Sequence, residues 1–286
     1  MISGWLLYKK EEYLKNRPFA DIFLHSCKEY GLDIELRFHE ELVLPLVCNG
    51  GAAPGSMVRP VFVINRTRDH VAASVLESLG CRVFNSAQAA RICNDKALSY
   101  LLAMQLGLPV MGTVVCSNTK GAYYRHGLDY PVVAKDPCGH GGSGVFLAQD
   151  ANELANAAAM IASDRLIIQR LSDTPGVDIR FYILGGKALR AVKRSNAHDF
   201  RSNLSQGGSI EPYEPSCDDL ELLGRITDAL PLDYAGIDFI LHGGKLFFNE
   251  LEDMVGSRAL YLLGDNPALL YMQYIKKTLA LLVGGN

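Results

Sequence analysis

Short apolar runs alternate with amphipathic stretches through the first third of the chain. Trp5–Tyr8, Ile34–Phe38 and Val61–Asn65 read as strands. The first two flank a helix opened by Asn16 and Pro18. From about Arg68 to Leu79, Val71, Val75, Leu76 and Leu79 recur at helical spacing and mark one apolar face. Strand–helix–strand order with short connections predicts a parallel α/β layer over roughly the first 85 residues. Leu46–Pro60, rich in Gly, Ala and Pro and without a period, reads as a mobile loop.

Further on, Asn94 is placed to cap a helix carrying Leu98, Leu101, Leu102 and Leu106, ended by Gly107 and Pro109. Strands follow at Thr113–Cys116, Tyr130–Lys135 and Gly144–Ala148, then a helix near Asn152–Ala162 and a strand at Arg165–Gln169. The pattern then changes to hairpins. Ile179–Leu184 and Ala188–Lys193 flank Gly185-Gly186, and Gly236–Leu241 and Lys245–Leu251 flank His242-Gly243-Gly244. A polar loop and a helix near Asp218–Ala229 separate the two hairpins. The last segment is an amphipathic helix with Leu269, Leu270, Met272 and Ile275 apolar.

Composition narrows the function classes. The 286 residues are 49% hydrophobic and 21% charged, with a net charge of -3 from 28 basic and 31 acidic residues. That balance supplies no basic field for DNA. The seven cysteines (Cys27, Cys48, Cys81, Cys93, Cys116, Cys138, Cys217) are scattered and never spaced CxxC, as free thiols in a reducing compartment are. No run reaches the ~20 apolar residues that span a bilayer, and the N-terminal run is too short for a signal peptide. A cytoplasmic protein without a membrane partner is expected.

The chemistry concentrates in three places. Lys135–Val145 (KDPCGHGGSGV) sets a lysine at a strand end before four glycines and a further strand. Glycines let backbone N–H groups approach phosphate oxygens, and the lysine neutralises them. The spacing is neither a P-loop nor a dinucleotide fingerprint. Taken alone, the loop has a second reading as a flexible, ligand-free hairpin tip. Second, Asp238 sits in one strand of the last hairpin and Glu250 and Glu252 in the other, two apart and so on one face. Carboxylates on so apolar a hairpin are costly unless they bind cations, and hard oxygens without His or Cys suit Mg²⁺ or Mn²⁺. Third, Arg180, Arg194, Arg201 and Asn203 have no acidic partners in sequence and are suited to clamping phosphate or carboxylate. The histidines carry no catalytic arrangement: His198 and His242 fall where exposure is the default, and His140, in the glycine loop, is a candidate for phosphate contact or for a solvent-facing position.

In order, NDK at 94–96, YPVVAK at 130–135, the glycine loop, IIQR at 167–170, GVDIR at 176–180, AVKR at 191–194, DFRSNLSQGG at 199–208, YAGIDFI at 234–240 and NELE at 249–252 resemble the ATP-grasp superfamily, in its RimK-type, glutamate-ligase-like branch. The resemblance implies an α/β ATP-grasp fold in three parts: an N-terminal α/β domain (1–90), a central lobe with a glycine-rich lid (91–170) and a C-terminal lobe with the metal site (171–286). It implies that Lys96 and Lys135 contact nucleotide phosphates and that Gly139, Gly142, Ser143 and Gly144 form the lid. Gln169, Arg170 and Leu171 would be the adenine hinge, Asp178 the ribose partner, and Arg180 part of the nucleotide site. Arg194, Arg201 and Asn203 would lie by the transferred phosphate. Asp238, Glu250 and Glu252 would hold two Mg²⁺ (or Mn²⁺) ions. Many relatives read Glu-x-Asn followed by a Pro-Gly turn, whereas this chain has Glu250-Leu251-Glu252 and then Asp253 to Arg258, where Arg258 is a candidate for an acidic substrate or an ordinary helix-surface residue.

The implied activity is an ATP-dependent carboxylate–amine ligase working through an acyl phosphate. Its partners would be ATP, a carboxylate and an amine (an amino acid), with a peptide or protein tail as one form of acceptor and room for a homo-oligomer. A kinase using the same nucleotide site, or a nucleotide-binding protein without catalysis, are the alternatives.

Overall fold

The computed structural model describes residues 1–44, 59–119, 121–202 and 207–283. Most of the loop expected at 46–60 therefore lies outside the described residues, as does Asn203.

Three sheets follow one another along the chain. The first comprises β1 (Ile2–Tyr8), α1 (Lys10–Ser26), β2 (Leu32–Phe38), β3 (Phe62–Arg66), α2 (His70–Ser78) and β4 (Arg82–Phe84). Its strands run in the order β2-β1-β3-β4 and every neighbouring pair is parallel, as strand–helix–strand connections require. α3 (Ala87–Cys93) and α4 (Lys96–Gln105) lead to the second sheet. There β5 (Thr113–Ser117), β6 (Val132–Lys135), β7 (Val145–Ala148) and β8 (Arg165–Arg170) pair antiparallel in the order β5-β8-β6-β7. α5 (Ala151–Met160) buries Leu154, Ala157 and Ala158 against this sheet.

The third sheet is antiparallel, in the order β11-β10-β9-β12-β13. It is made of β9 (Val177–Leu184), β10 (Lys187–Ser195), β11 (Ser209–Pro212), β12 (Tyr234–His242) and β13 (Lys245–Glu252), with α6 (Cys217–Ala229) inserted before β12. α7 (Arg258–Leu262) and α8 (Pro267–Val283) follow. α8 returns to the first sheet: its Tyr271, Met272, Ile275 and Leu279 share one buried cluster with Leu6, Phe19, Phe23, Leu32 and Phe62.

Several helices differ from the sequence expectation in instructive ways. α1 begins at Lys10, ahead of Asn16, which stays inside it at φ -114°. The kink falls just before Pro18, whose ring cannot sit on the preceding turn of a straight helix. In α2 the cap is Asp69, and Val71 is 58% exposed, because the small Ala72 and Ala73 take the sheet-facing side with Val75 and Leu76. In α4 the cap is Asp95, which accepts from the Ala97 and Leu98 N–H groups, while Asn94 reaches across to Asp253 Oδ1 at 3.0 Å. The buried face of α4 is Lys96, Ser99, Tyr100 and Ala103, and Leu101 faces solvent. Burial here follows the neighbouring third sheet, not the leucine spacing.

Candidate functional site

The second and third sheets face each other across a cleft of about 310 Å³. Its deep wall is a line of charges crossing four strands. Asp178 and Arg180 lie two apart on β9 and so project together. Asp178 is in register with Arg194 of β10, and Arg180 with Asp238 of β12. Arg180 donates from Nε and Nη2 to the two Asp238 oxygens at 2.7 and 2.6 Å, and its Nη2 stands 2.8 Å from Glu252 Oε2 of β13. Arg194 likewise donates to both Asp178 oxygens, at 2.6 and 2.5 Å, and to Asp238 Oδ2 at 2.7 Å. Ser202 Oγ donates to Asp178 as well. Burial alone would raise the Asp238 carboxyl, but Arg180 and Arg194 override it and hold it at about 2. The arginines expected to lack acidic partners therefore have them in space, supplied by cross-strand register that a linear reading does not show. Arg201 is paired too, with Asp199 at 2.7 Å.

Two lysines occupy the seam between the second and third sheets. Lys96, the first residue of α4, sits 2.8 Å from Glu250 Oε1 and donates to the Gly139 carbonyl. Burial opposes its charge, yet Glu250 holds its pKa above the ordinary value. Lys135, the last residue of β6, donates to Tyr100 Oη at 2.9 Å, Gln169 Oε1 at 2.8 Å and Asn249 Oδ1 at 2.8 Å. Burial pushes it down to about 7, with Glu250 opposing the fall and Lys96 adding to it.

The glycine loop over the seam is tightly turned. A Cβ at Gly144, at φ +72°, would meet Asp136 Cβ at 2.8 Å, and one at Gly139 would meet the Ser143 carbonyl at 2.7 Å. Gly142 lines the cleft and its carbonyl accepts from Arg201 Nη1 at 3.2 Å. Gly139, Ser143 and Gly144 do not line the cleft; they shape the turn behind it. His140 is half-buried in this loop. Burial first, then the Arg68 and Lys96 charges, push its imidazole down to about 4.

Gln169, Arg170 and Leu171 line the opposite end. The Gln169 side chain is turned inward, to Lys135 and to Thr113 Oγ1 at 2.9 Å. The cleft thus gathers Lys96, Lys135, Gly142, Gln169, Arg170, Leu171, Asp178, Arg180, Arg194, Arg201, Asp238, Glu250 and Glu252.

The carboxylates suit a hard divalent ion in kind. Glu252 Oε2 is buried and accepts no hydrogen bond, its contact being the Arg180 guanidinium. Among the described residues no three carboxylate, imidazole or thiol groups stand together at metal-binding spacing. Arg180 bridges Asp238 and Glu252, and Lys96 draws Glu250. The donor set fits a metal chemically and is held here by the chain's own cations.

Residues that the sequence did not single out complete the wall. Asn249 is the extra residue of a bulge in β13, where Asp238 pairs Glu250 but Phe239 pairs Phe248. Ser202 and Tyr182 join it, and Tyr100 bonds both Asn249 and Lys135. Arg258, already a candidate from the sequence, lines the cleft as well, without an ion pair among the described residues. A polar residue beside Glu250 at the end of an apolar run was the one signal for Asn249; the bulge itself leaves none.

Comparison with known proteins places this geometry. Residues 93–266 match the RimK-like ATP-grasp domain family. An uncharacterized MG012 homolog of Mycoplasma pneumoniae is 30% identical over 197 residues, 64% of this chain and 68% of that protein. The glutamate–LysW ligase ArgX of Sulfolobus acidocaldarius is 26% identical over 214 residues, 70% of this chain and 73% of the ligase. Among solved structures, a D-alanine–D-alanine ligase from Bacillus anthracis superposes with a TM-score of 0.75 at 16% identity, over 100% of both chains.

Proposed function

The chain belongs to the RimK-like ATP-grasp family, and on that premise we propose that it is an ATP-dependent carboxylate–amine ligase that forms an amide through an acyl phosphate and releases ADP and phosphate. One observation carries the reading. A single cleft holds Lys135, an ammonium bonded only to neutral oxygens, beside the Glu252–Arg180–Asp238–Arg194–Asp178 ladder. The first is an anion site and the second contains the donors for a divalent ion. The likeness to a glutamate–LysW ligase supports an amino acid as the amine substrate.

Asp238, Glu250 and Glu252 would hold Mg²⁺, which when bound neutralises β- and γ-phosphate oxygens. Lys96 and Lys135 take the remaining phosphate charge. Arg194 and Arg201 stand where the γ-phosphate meets the substrate carboxylate, with Arg201 also bonded to the lid carbonyl of Gly142. The substrate carboxylate oxygen attacks the γ-phosphorus and ADP leaves; the amine then attacks the acyl carbon and phosphate leaves. The glycine lid keeps water from the mixed anhydride. We read the three sheets as three lobes, 1–90, 91–170 and 171–286, and the free thiols as those of a cytoplasmic protein. No helix among the described residues is long and apolar enough to cross a membrane.

The test is ADP release screened against carboxylate and amine pairs, with hydroxylamine present as a trap. ADP should form only with a carboxylate, the carboxylate should be recovered as a hydroxamate, and Glu250→Gln should abolish both. A stable phosphate ester, or AMP with pyrophosphate, would overturn the reading.

A further inference from the structure

Lys135 and Asn249 belong to different sheets. Lys135 ends β6 in the second, and Asn249 is the bulged residue of β13 in the third. Their side chains meet at 2.8 Å. Tyr100 of α4 closes a triangle: its hydroxyl accepts from Lys135 at 2.9 Å and donates to Asn249 Oδ1 at 3.3 Å. Gln169 of β8 takes the third bond. An ammonium has three N–H donors, so this shell is full, and every acceptor in it is neutral.

The bulge makes this possible. In regular alternation the neighbour of Glu250 points to the opposite face, where Phe248 and Leu251 are buried. The inserted residue lets Asn249 and Glu250 both line the cleft. We infer that Asn249 is a positioning residue for Lys135: its amide oxygen ties the ammonium across the seam between the lobes and keeps it charged until an anionic nucleotide replaces that bond. The inference rests on the nucleotide-binding reading above.

The residue type fits the task. An aliphatic side chain at 249 would leave a buried N–H without an acceptor. A carboxylate would form an ion pair that the incoming phosphates have to break. An amide oxygen does neither, and leaves the positive charge uncompensated for the ligand. The amide NH₂ of Asn249 makes no hydrogen bond among the described residues, and the residue lines the cleft. Because burial brings Lys135 to about 7, its neighbours decide whether it is charged near neutrality. The charged or titratable groups facing it are Lys96 and Tyr100 from α4 and Glu250 from β13.

The experiment measures binding of a fluorescent trinitrophenyl-ATP to the full chain from about pH 6 to 9.5, the window in which a lysine so buried titrates. Wild type should lose affinity as Lys135 deprotonates. Asn249→Leu should move that fall to lower pH by about one unit and weaken binding about tenfold at neutral pH, the effect of one charge-assisted hydrogen bond. Asn249→Asp should move it to higher pH while also weakening binding, since a carboxylate favours the ammonium but competes for it. Tyr100→Phe should shift the fall in the same direction as Leu, by less, and serves if the Leu variant does not fold. The nucleotide's own titration is common to all the proteins and drops out. Opposite displacements by Leu or Phe and by Asp are the expected signature, which a packing role does not produce. Nucleotide binding with the same pH dependence in wild type, Asn249→Asp and Tyr100→Phe would overturn the inference alone. A wild type that binds no nucleotide overturns the ligase reading and this inference with it.

Discussion

The arginine ladder of the third sheet and the lysine node at the seam line one cleft, yet every ladder carboxylate touches a guanidinium, whereas Lys135 touches only neutral oxygens. In the ladder, positive and negative charges alternate, two pairs bidentate and two joined by single contacts, so its members depend on one another. In the node, one positive charge is solvated by dipoles, so losing it strands no opposite charge. The two clusters teach that charge is buried in two ways in this cleft: compensated charge holds the third sheet's face together, and uncompensated charge is what the proposed nucleotide site offers to a ligand.

Removing a ladder cation tests that contrast most severely. Arg180→Leu leaves Asp238 and Glu252 without their shared partner, and such a loss typically destabilises by about 3–5 kcal/mol; urea unfolding at neutral pH should show it. Lys135→Met should act in the opposite sense on stability. The folded-state pKa of Lys135 lies below its ordinary 10.5, at about 7. Between those values the unfolded chain binds more protons, so wild-type stability should rise with pH across that window. Lys135→Met, similar in volume, lacks this rise. It should be the more stable protein below pH 7, by up to a few kcal/mol, with the difference closing towards pH 10, although its nucleotide binding is lost. Unfolding curves at a series of pH values decide this. The smallest change is expected from Arg201→Ala. Its pair with Asp199 is partly exposed, so stability should stay within about 1 kcal/mol in the same assay. A loss from Arg201→Ala as large as that from Arg180→Leu would erase the distinction between compensated core charge and half-exposed charge.

The strands were legible because their apolar runs and turn glycines are local signals. β8, β9 and β12 contain the segments expected, β6 takes up Val132–Lys135 of the Tyr130–Lys135 expected, and the carboxylates and basic residues chosen from them do meet in one cleft. What was not legible depends on register between strands far apart in sequence. The partners of Arg180 and Arg194 are set by the pairing of β9 with β10 and β12. Asn249 enters the cleft through a bulge, and a bulge is a mismatch of two strands that neither strand encodes alone. The buried side of α4 was not legible for a related reason. Leucine spacing favours one face, but the helix lies against the cleft, so Lys96 and Tyr100 are buried while Leu101 is exposed. His140 is drawn inward by the folding of its loop over Lys96 and Arg68, which its place among glycines does not signal.

The return of α8 to the first sheet has a consequence for synthesis. Leu6, Phe19, Phe23 and Phe62 leave the ribosome early, but the residues that complete their cluster, Tyr271, Met272, Ile275 and Leu279, are translated last among its members. At ordinary elongation rates the interval between the end of β4 and the end of that helix is roughly 10–40 s. Throughout it the nascent sheet carries an uncovered apolar flank, so the parallel sheet that is translated first is closed only when the C-terminal helix emerges.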